Sequence, residues 1–419
     1  MKILIKSAKI VDQTNRELHL KKRDILIRNG IIEKIAPKIE ETGKFQLIEK
    51  KNLHISLGWF DSSVSFGEPG YEERETIAHG LDVAARSGFT DIVLNPNTNP
   101  VPDSSSDIVF FKNAAKGCLA NLHPLGALTV KCEGKDLAEL YDMKNAGAVG
   151  YYDFKRPVEN SNLLKIALQY VQNFDGLVYS FPLNKNISGK GIVNESEVST
   201  RLGLKGLPNI SEELQVQRDL TLLEYTGGKL HIPTISTAKS VGLIRAAKKN
   251  GLDVSCSVAV HNLFLTDSVL ENFDSSFKVM PPLRTKTDTE ALITGLKEGV
   301  VDYICSDHLP LNIEEKHREF DNATPGSIGL ETAFGISNRL FELPTVIDLL
   351  TRGRERYGLE TIRLSEGSRA SLTLFDPDKH WVFNEKDIYS TSKNCMFVGA
   401  ELKGLVYGII NNGQMNIRE

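Results

Sequence analysis

Over the first 55 or so residues, apolar and polar positions alternate in ILIKSAKIV and again in DILIRNGIIEKIA. That is the period of half-buried strands. Asn29-Gly30, set between two apolar runs, predicts a two-residue hairpin turn. From Gly58 the pattern changes to short apolar stretches, each followed by an amphipathic helical stretch. FDSSVSF precedes ERETIAHGLDVAARSG, with Gly88 as a C-terminal cap. DIVLNPNTNP precedes a helix through Lys112, LHPLGALTV precedes DLAELYDMKNAG, and AVGYYDF precedes NLLKIALQYVQNF. GLVYSFP leads through a longer excursion to SEELQVQRDLTLLEYTGG, and KLHIPTIS to AKSVGLIRAAKKNG. DVSCSVAVHN leads to TDTEALITGLKEG, and VDYICSDHLP to helical segments from about Gly329 to Tyr357. Eight such units in about 300 residues predict a closed (β/α)₈ barrel, with an open doubly wound sheet as the alternative. From about Ser365 strands return in RASLTLFDP, HWVFN and LKGLVYGIINNGQM, the last with an Asn412-Gly413 turn. The two β-rich ends are expected to pair into one small β-sandwich domain. The division is then residues 1–55 and 359–419 for that domain and 56–358 for the barrel.

Composition adds little to this picture but removes some functions. The 419 residues are 41% hydrophobic and 25% charged with a formal net charge of −4, an ordinary globular balance. No basic block offers a nucleic-acid footprint. The five cysteines are scattered with no CxxC pair, which reads as free thiols in a reducing compartment. MKILIKSAKIVD returns to charge too soon for a signal peptide or a membrane span. The expected setting is cytoplasmic, with no membrane contact.

In a barrel of this kind functional side chains gather at the C-terminal strand ends. Those positions hold Ser63 and Ser65, Asn97, Asp153, Ser180, Thr234, His261 and Asp307-His308. Ser63 and Ser65 stand two apart, so on a strand they share a face. Paired side chains at a strand end suit joint binding, yet serine hydroxyls are poor metal ligands.

The stretches FDSSVSFGEPG, LNPNTNP, AVGYYDFKRPV, GLKGLP, HIPTISTAKSV, VMPPLRTKTD, CSDHLP, EEKHREF, PGSIGLETAF and SLTLFDP, in this order along the whole chain, resemble the dihydroorotases of the amidohydrolase superfamily. The resemblance is to the type that associates with aspartate carbamoyltransferase. It implies a (β/α)₈ barrel with a terminal β-domain, zinc as cofactor, and hydrolysis of dihydroorotate to N-carbamoyl-aspartate. The departures are equally specific. Where the family carries Asp-x-His-x-His, the chain has Asp61-Ser62-Ser63-Val64-Ser65. The histidines that the resemblance implies at the ends of the fifth and sixth strands are Ser180 and Thr234, and His231 falls at a non-ligand position. Only Asp153, matching a bridging aspartate, and Asp307, matching the last ligand and general base, survive. On the substrate side the carboxylate-binding arginine is replaced by Gly67, an asparagine by Met280 and a histidine by Leu311, while Asn97 and the flexible-loop remnant TPGSIG remain.

Zinc takes four N, S or carboxylate donors at about 2 Å, and hydroxyls do not replace four imidazoles. Two aspartates alone would suit a hard ion such as magnesium, held weakly. Without a metal, water keeps a pKa of about 15.7 rather than about 7. The expectation is therefore no metal cofactor, with Asp307 a vestigial catalytic carboxylate and Ser63, Ser65, Asp153, Ser180 and Thr234 vestigial ligand positions. Asp61 reads as a structural carboxylate, and His231 and His261 as structural histidines. Lys155 and Arg156 are the cations near enough in sequence to Asp153 to supply a missing positive charge at the mouth. Two functions follow. One is a non-catalytic scaffold or assembly partner, with aspartate carbamoyltransferase the candidate partner and a homo-oligomer left open. The other is a cyclic-amide hydrolase that uses Asp307 with an altered or absent metal site.

Overall fold

The computed structural model describes residues 2–40 and 43–418. Eight parallel strand positions close into a barrel. The first three are Trp59–Val64, Phe89–Leu94 and Asn121–Pro124. The fifth to eighth are Leu177–Tyr179, Lys229–Ile232, Val254–Ala259 and Tyr303–Cys305, paired in that order. The fourth is reduced to Tyr151, which bridges Gly126 on one side and Val178 on the other. The ring closes through the Val64–His308 bridge.

Two elements differ from the periodicity. The fourth strand was expected across AVGYYDF, but beyond Tyr151 the backbone leaves the barrel wall, because the Asp153 carboxylate is held by the Leu128 and Thr129 amides, each at 3.0 Å. The third helix spans only Leu140–Ala146. Its expected first residues instead extend back along 128–130, with Thr129 bridging Leu137 and Ala138 N donating to Leu128 O at 3.1 Å. The C-terminal stretches read as two strands form one, Leu372–Val382, with a break in pairing between Asp376 and His380.

The strands of both termini join in one eight-stranded sheet. They meet where His54–Leu57 runs antiparallel to Leu372–Phe375. Isoleucines on alternate positions of Lys2–Ile10 and Lys22–Arg28 fill its core. The turns at Asn29-Gly30 and Asn412-Gly413 have positive φ at both residues, +51° and +78° in the first and +50° and +71° in the second, as a type I′ hairpin requires. All five cysteines are unpaired. Among the described residues no helix is long and apolar enough to cross a membrane.

Sheet and barrel are joined by Trp59. Its indole is fully buried and packs on Phe334 at 4.6 Å, Phe375 at 5.5 Å and Phe89 at 6.0 Å, ring centroid to centroid. Phe89 belongs to the barrel, Phe375 to the terminal sheet and Phe334 to the eighth barrel helix, Leu330–Leu340. The indole N–H donates to Ser56 Oγ at 3.0 Å. Gly88, at φ +97°, lies under the ring, where a Cβ would come within 2.6 Å.

Below the barrel Arg354 donates to Gly58 O and Thr90 Oγ1 and pairs with Asp91 at 2.6 Å, while His123 contacts the same carboxylate at 2.9 Å. Burial pushes the Asp91 pKa up, but the His123 bond and the Arg354 charge outweigh it and hold the group well below the carboxylate range. Truncating Trp59 to Ala is expected to cost about 3–5 kcal/mol, read by urea unfolding. A loss below about 1 kcal/mol, the size of a surface substitution, would show that the two units do not depend on this joint.

Candidate functional site

The C-terminal end of the barrel gathers the residues that the sequence singled out, but with partners of their own. Asp307 follows the eighth strand in the left-handed region, at φ +49°. Its Oδ1 accepts from Ser63 Oγ at 3.2 Å, and its Oδ2 accepts from Lys155 Nζ at 2.7 Å. Lys155, also left-handed at φ +53°, follows the fourth strand position. The carboxylate is 2% exposed and the lysine side chain 12%. Of the two candidate cations Lys155 is therefore the one at the mouth. Arg156 is exposed and donates to Cys132 O at 3.3 Å.

Ser63 and Ser65 do share a face, because the Asn95 amide donates to both hydroxyls, at 3.2 and 3.1 Å. Asp61 is structural. Its two oxygens accept from the amides of Ser63 and Ser306, both at 2.9 Å, and burial lifts its pKa to about 6. Asp153 is brought to the mouth by the backbone but spent on a loop. It accepts the Leu128 and Thr129 amides and the Thr129 hydroxyl, while burial raises its pKa. Ser180 Oγ and Thr234 Oγ1 are buried without a hydrogen-bond partner, as are His261 Nε2 and His308 Nε2.

The two histidines read as structural divide. His231 lies inside the barrel, stacked on Tyr303 at 5.6 Å and bonded to Ser255 Oγ at 2.8 Å and Ser257 Oγ at 3.2 Å. His261 was expected to be satisfied, and its Nε2 is not. Burial pushes its pKa down to about 4; the Asp307 charge opposes the fall and Lys155 reinforces it.

The substrate positions are filled or covered. A Cβ on Gly67 would fall 1.7 Å from Tyr71 O, so the loop to Glu75 occupies the space an arginine side chain would need. That loop is closed by Gly67 N to Glu75 O and Tyr71 N to Gly67 O, both 2.8 Å. Met280 packs on the aromatic cluster that fills the barrel interior, with Phe60, Tyr152, Tyr179, Phe181 and Tyr303. Leu311 is buried, and its amide donates to Asn394 Oδ1 at 3.1 Å. Asn97 is half-buried, with its Oδ1 unbonded.

The segment after the eighth strand is pinned rather than free. Lys316 is buried, and its Nζ donates to Gly326 O at 2.7 Å, Lys278 O at 3.0 Å and Thr324 O at 3.4 Å. Lys278 Nζ donates to Phe320 O at 2.7 Å and Asp321 O at 3.0 Å. Arg74 ties the first mouth loop to the same segment through Glu315 at 2.6 Å. Asn95, Lys278 and Lys316 were not singled out in the sequence. Two buried lysines without a carboxylate partner have no local signature, because their acceptors are backbone carbonyls in loops 8 to 43 residues away.

Among the described residues no three histidine, cysteine, aspartate or glutamate side chains converge as a metal-binding group. The donor set at the mouth does not fit zinc. One carboxylate is neutralised by an ammonium, the other is consumed by the Thr129 turn, and what remains is hydroxyls with the imidazoles of His261 and His308, which do not converge with a third such donor among the described residues. An ammonium donates hydrogen bonds but has no empty coordination position at which water could be activated.

Comparison with known proteins places the whole chain. A family model described as Dihydro-orotase-like matches residues 54–240. A dihydroorotase of Pelotomaculum thermopropionicum is 38% identical over 426 residues, covering 100% of this chain and 99% of that protein. One from Ruminiclostridium cellulolyticum is 38% identical over 429 residues, with the same coverage of 100% and 99%. Among solved structures, the L-hydantoinase (dihydropyrimidinase) from Arthrobacter aurescens aligns with a TM-score of 0.84 at 20% identity, covering 99% of this chain and 96% of that one. The D-hydantoinase (dihydropyrimidinase) from Thermus sp. aligns at 0.82 and 19%, covering 99% and 95%. The hydantoinase likeness is one of fold: a barrel with a sheet domain built from the termini. The full-length identity to the dihydroorotases goes further, and the chain belongs to the dihydroorotase family of the amidohydrolase superfamily.

Proposed function

We propose that this protein is a non-catalytic dihydroorotase-like member of pyrimidine biosynthesis, kept as a structural or assembly partner, with aspartate carbamoyltransferase as the candidate partner. The observation that carries this reading is the buried Lys155–Asp307 ion pair. In the family resemblance Asp307 is both metal ligand and general base. Here its charge is met by an ammonium and it accepts from Ser63. To take a proton from water it would first have to give up its ammonium partner, and water that no metal acidifies keeps a pKa of about 15.7. The partner assignment rests on the family resemblance alone, and co-purification with aspartate carbamoyltransferase from the native host tests it.

The protein is expected to contain no stoichiometric zinc and to show no hydrolysis of dihydroorotate or related cyclic amides, with or without added zinc. Elemental analysis paired with a ring-opening assay reads both. Turnover at an ordinary enzymatic rate would overturn the reading.

Restoring histidine at positions 63, 65, 180 and 234 is expected to recover zinc binding only when Lys155 is also replaced, since its ammonium holds Asp307. Activity should stay absent even then. Gly67, Met280 and Leu311 still leave the substrate unheld, and positioning can supply about 7–11 kcal/mol of a barrier. Zinc titration by calorimetry and the same assay separate the two effects; activity in the zinc-loaded variant would show that positioning survives.

Lys155→Met is expected to lose about 3–5 kcal/mol, the cost of stranding a buried charge. Lys155→Met with Asp307→Asn should regain most of it, because both charges leave together. Urea unfolding in the presence and absence of chelator reads the cycle. A chelator-dependent stability of the unmodified protein would show that a metal, rather than Lys155, balances Asp307.

A further inference from the structure

Where the terminal sheet packs on the first barrel helix, Ile77–Arg86, and the eighth, Leu330–Leu340, it leaves a cavity of about 290 Å³. The sheet supplies its other walls from Leu372–Val382, the turn that follows, and Glu401–Asn411. The last strand can lie close over the eighth helix because residue 404 is a glycine at φ +101°, where a Cβ would come within 2.5 Å of the Phe334 ring. The lining is rich in flat groups. Phe334, Trp381, Phe383 and Tyr389 contribute, with Trp381 and Phe383 in edge contact at 5.8 Å. Trp381 is half-buried, and its Nε1 donates to Gly404 O at 3.0 Å, which fixes the plane of the indole. The Arg86 guanidinium lies 3.7 Å from the centre of the Tyr389 ring.

The charged groups of the lining are unequally engaged. Glu331 accepts from the Tyr389 amide and from Ser390 N and Oγ, the last two at 3.1 and 2.7 Å. Asp387 Oδ2 accepts from Asn384 N at 2.9 Å, and Arg86 is paired with Asp82 at 3.0 Å. Lys386 and Arg418 line the same cavity, yet neither side chain has a carboxylate or other hydrogen-bond partner among the described residues. Arg418 is held in place by its backbone, whose amide donates to Tyr407 O at 2.6 Å. Ser87 also lines the cavity. It is 6% exposed, and its Oγ is buried without a partner.

These features select the occupant. A largely apolar cavity with a few polar groups is the usual form of a small-molecule site, and this one stands at the lower end of their range of about 300–1,000 Å³. That is room for one or two fused rings rather than for a nucleotide or a peptide. Aromatic walls favour a flat ring laid against them. The carboxylates of the lining already hold donors, whereas the ammonium and the guanidinium hold no acceptor, so the charge that completes the site is negative. A guanidinium matches a carboxylate with two parallel hydrogen bonds. An aliphatic acid would forgo the stacking, and a neutral ring would leave both cations unanswered.

We propose that this cavity binds a small flat aromatic carboxylate, its ring against Trp381 and its carboxylate on Lys386 and Arg418. The site is separate from the barrel mouth, and the proposal stands whether or not the mouth is catalytic. Calorimetric titration of the full chain with indole-3-carboxylate is expected to give a dissociation constant on the order of 100 μM. Indole, which drops the charge, and cyclohexanecarboxylate, which drops the flat ring, should each bind at least about tenfold more weakly. Lys386→Ala with Arg418→Ala changes two exposed side chains, and it should weaken indole-3-carboxylate by about tenfold or more at an unchanged melting temperature. Lys155→Met with Asp307→Asn, at the mouth, should leave the affinity as it was. Absence of binding to the unmodified protein overturns the proposal, and so does indole binding as tightly as its carboxylate. Binding that survives Lys386→Ala with Arg418→Ala but is lost with Lys155→Met and Asp307→Asn would place the ligand at the mouth and overturn it as well.

Discussion

Everything at the barrel mouth is arranged around the need to balance one buried carboxylate. An isolated ionised group at 2% exposure is costly enough that it must be neutralised, paired or bound to a cation. Lys155 supplies that cation from the next-but-three strand position round the ring, at 2.7 Å. Both residues adopt left-handed backbone to make the contact. Such conformations cost non-glycine residues of order 1–3 kcal/mol each and persist only where the surroundings over-determine them. Once Asp307 is held, Ser63 has its acceptor, Asn95 spans Ser63 and Ser65, and the bridge from Val64 to His308 shuts the ring.

The two ends of the barrel balance their charged groups differently, though each also buries polar atoms without a partner, Ser371 Oγ and Arg356 Nε among them at the bottom. At the bottom Asp91, His123, Thr90 and Arg354 form a network in which the charged atoms meet opposite charge. At the top five polar side-chain atoms, on Asn97, Ser180, Thr234, His261 and His308, are buried and unmatched. In barrels of this type the bottom serves stability and the top chemistry. Unmatched polar groups cost about 1–3 kcal/mol apiece, a cost the mouth carries in this structure.

Much of the fold was legible because hydrophobic period is a local property. The strand and helix alternation, both Asn-Gly hairpins and the return of the C-terminal strands to the N-terminal sheet all follow from spacing along the chain. What was not legible depends on contacts far apart in sequence. Residues 136–138 read as helix until Leu128–Val130 offers them a strand to pair with, and AVGYYDF reads as a full strand until Asp153 is pulled onto Thr129. At the site, the departures from the family's motif could be read from residue identity alone. Lys155 could be named as a candidate but not distinguished from Arg156, and the filling of the Gly67 position by its own loop could not be foreseen.

Asp153 works for the barrel wall as well as for the mouth. Its carboxylate braces the turn at 128–129 through two amides and a hydroxyl, and that turn in turn receives the strand-like residues ahead of the third helix. A carboxylate that holds two amides and a hydroxyl at once makes the approach to the third helix depend on a residue of the mouth. A change at Asp153 would therefore be felt in the barrel wall as well as at the site.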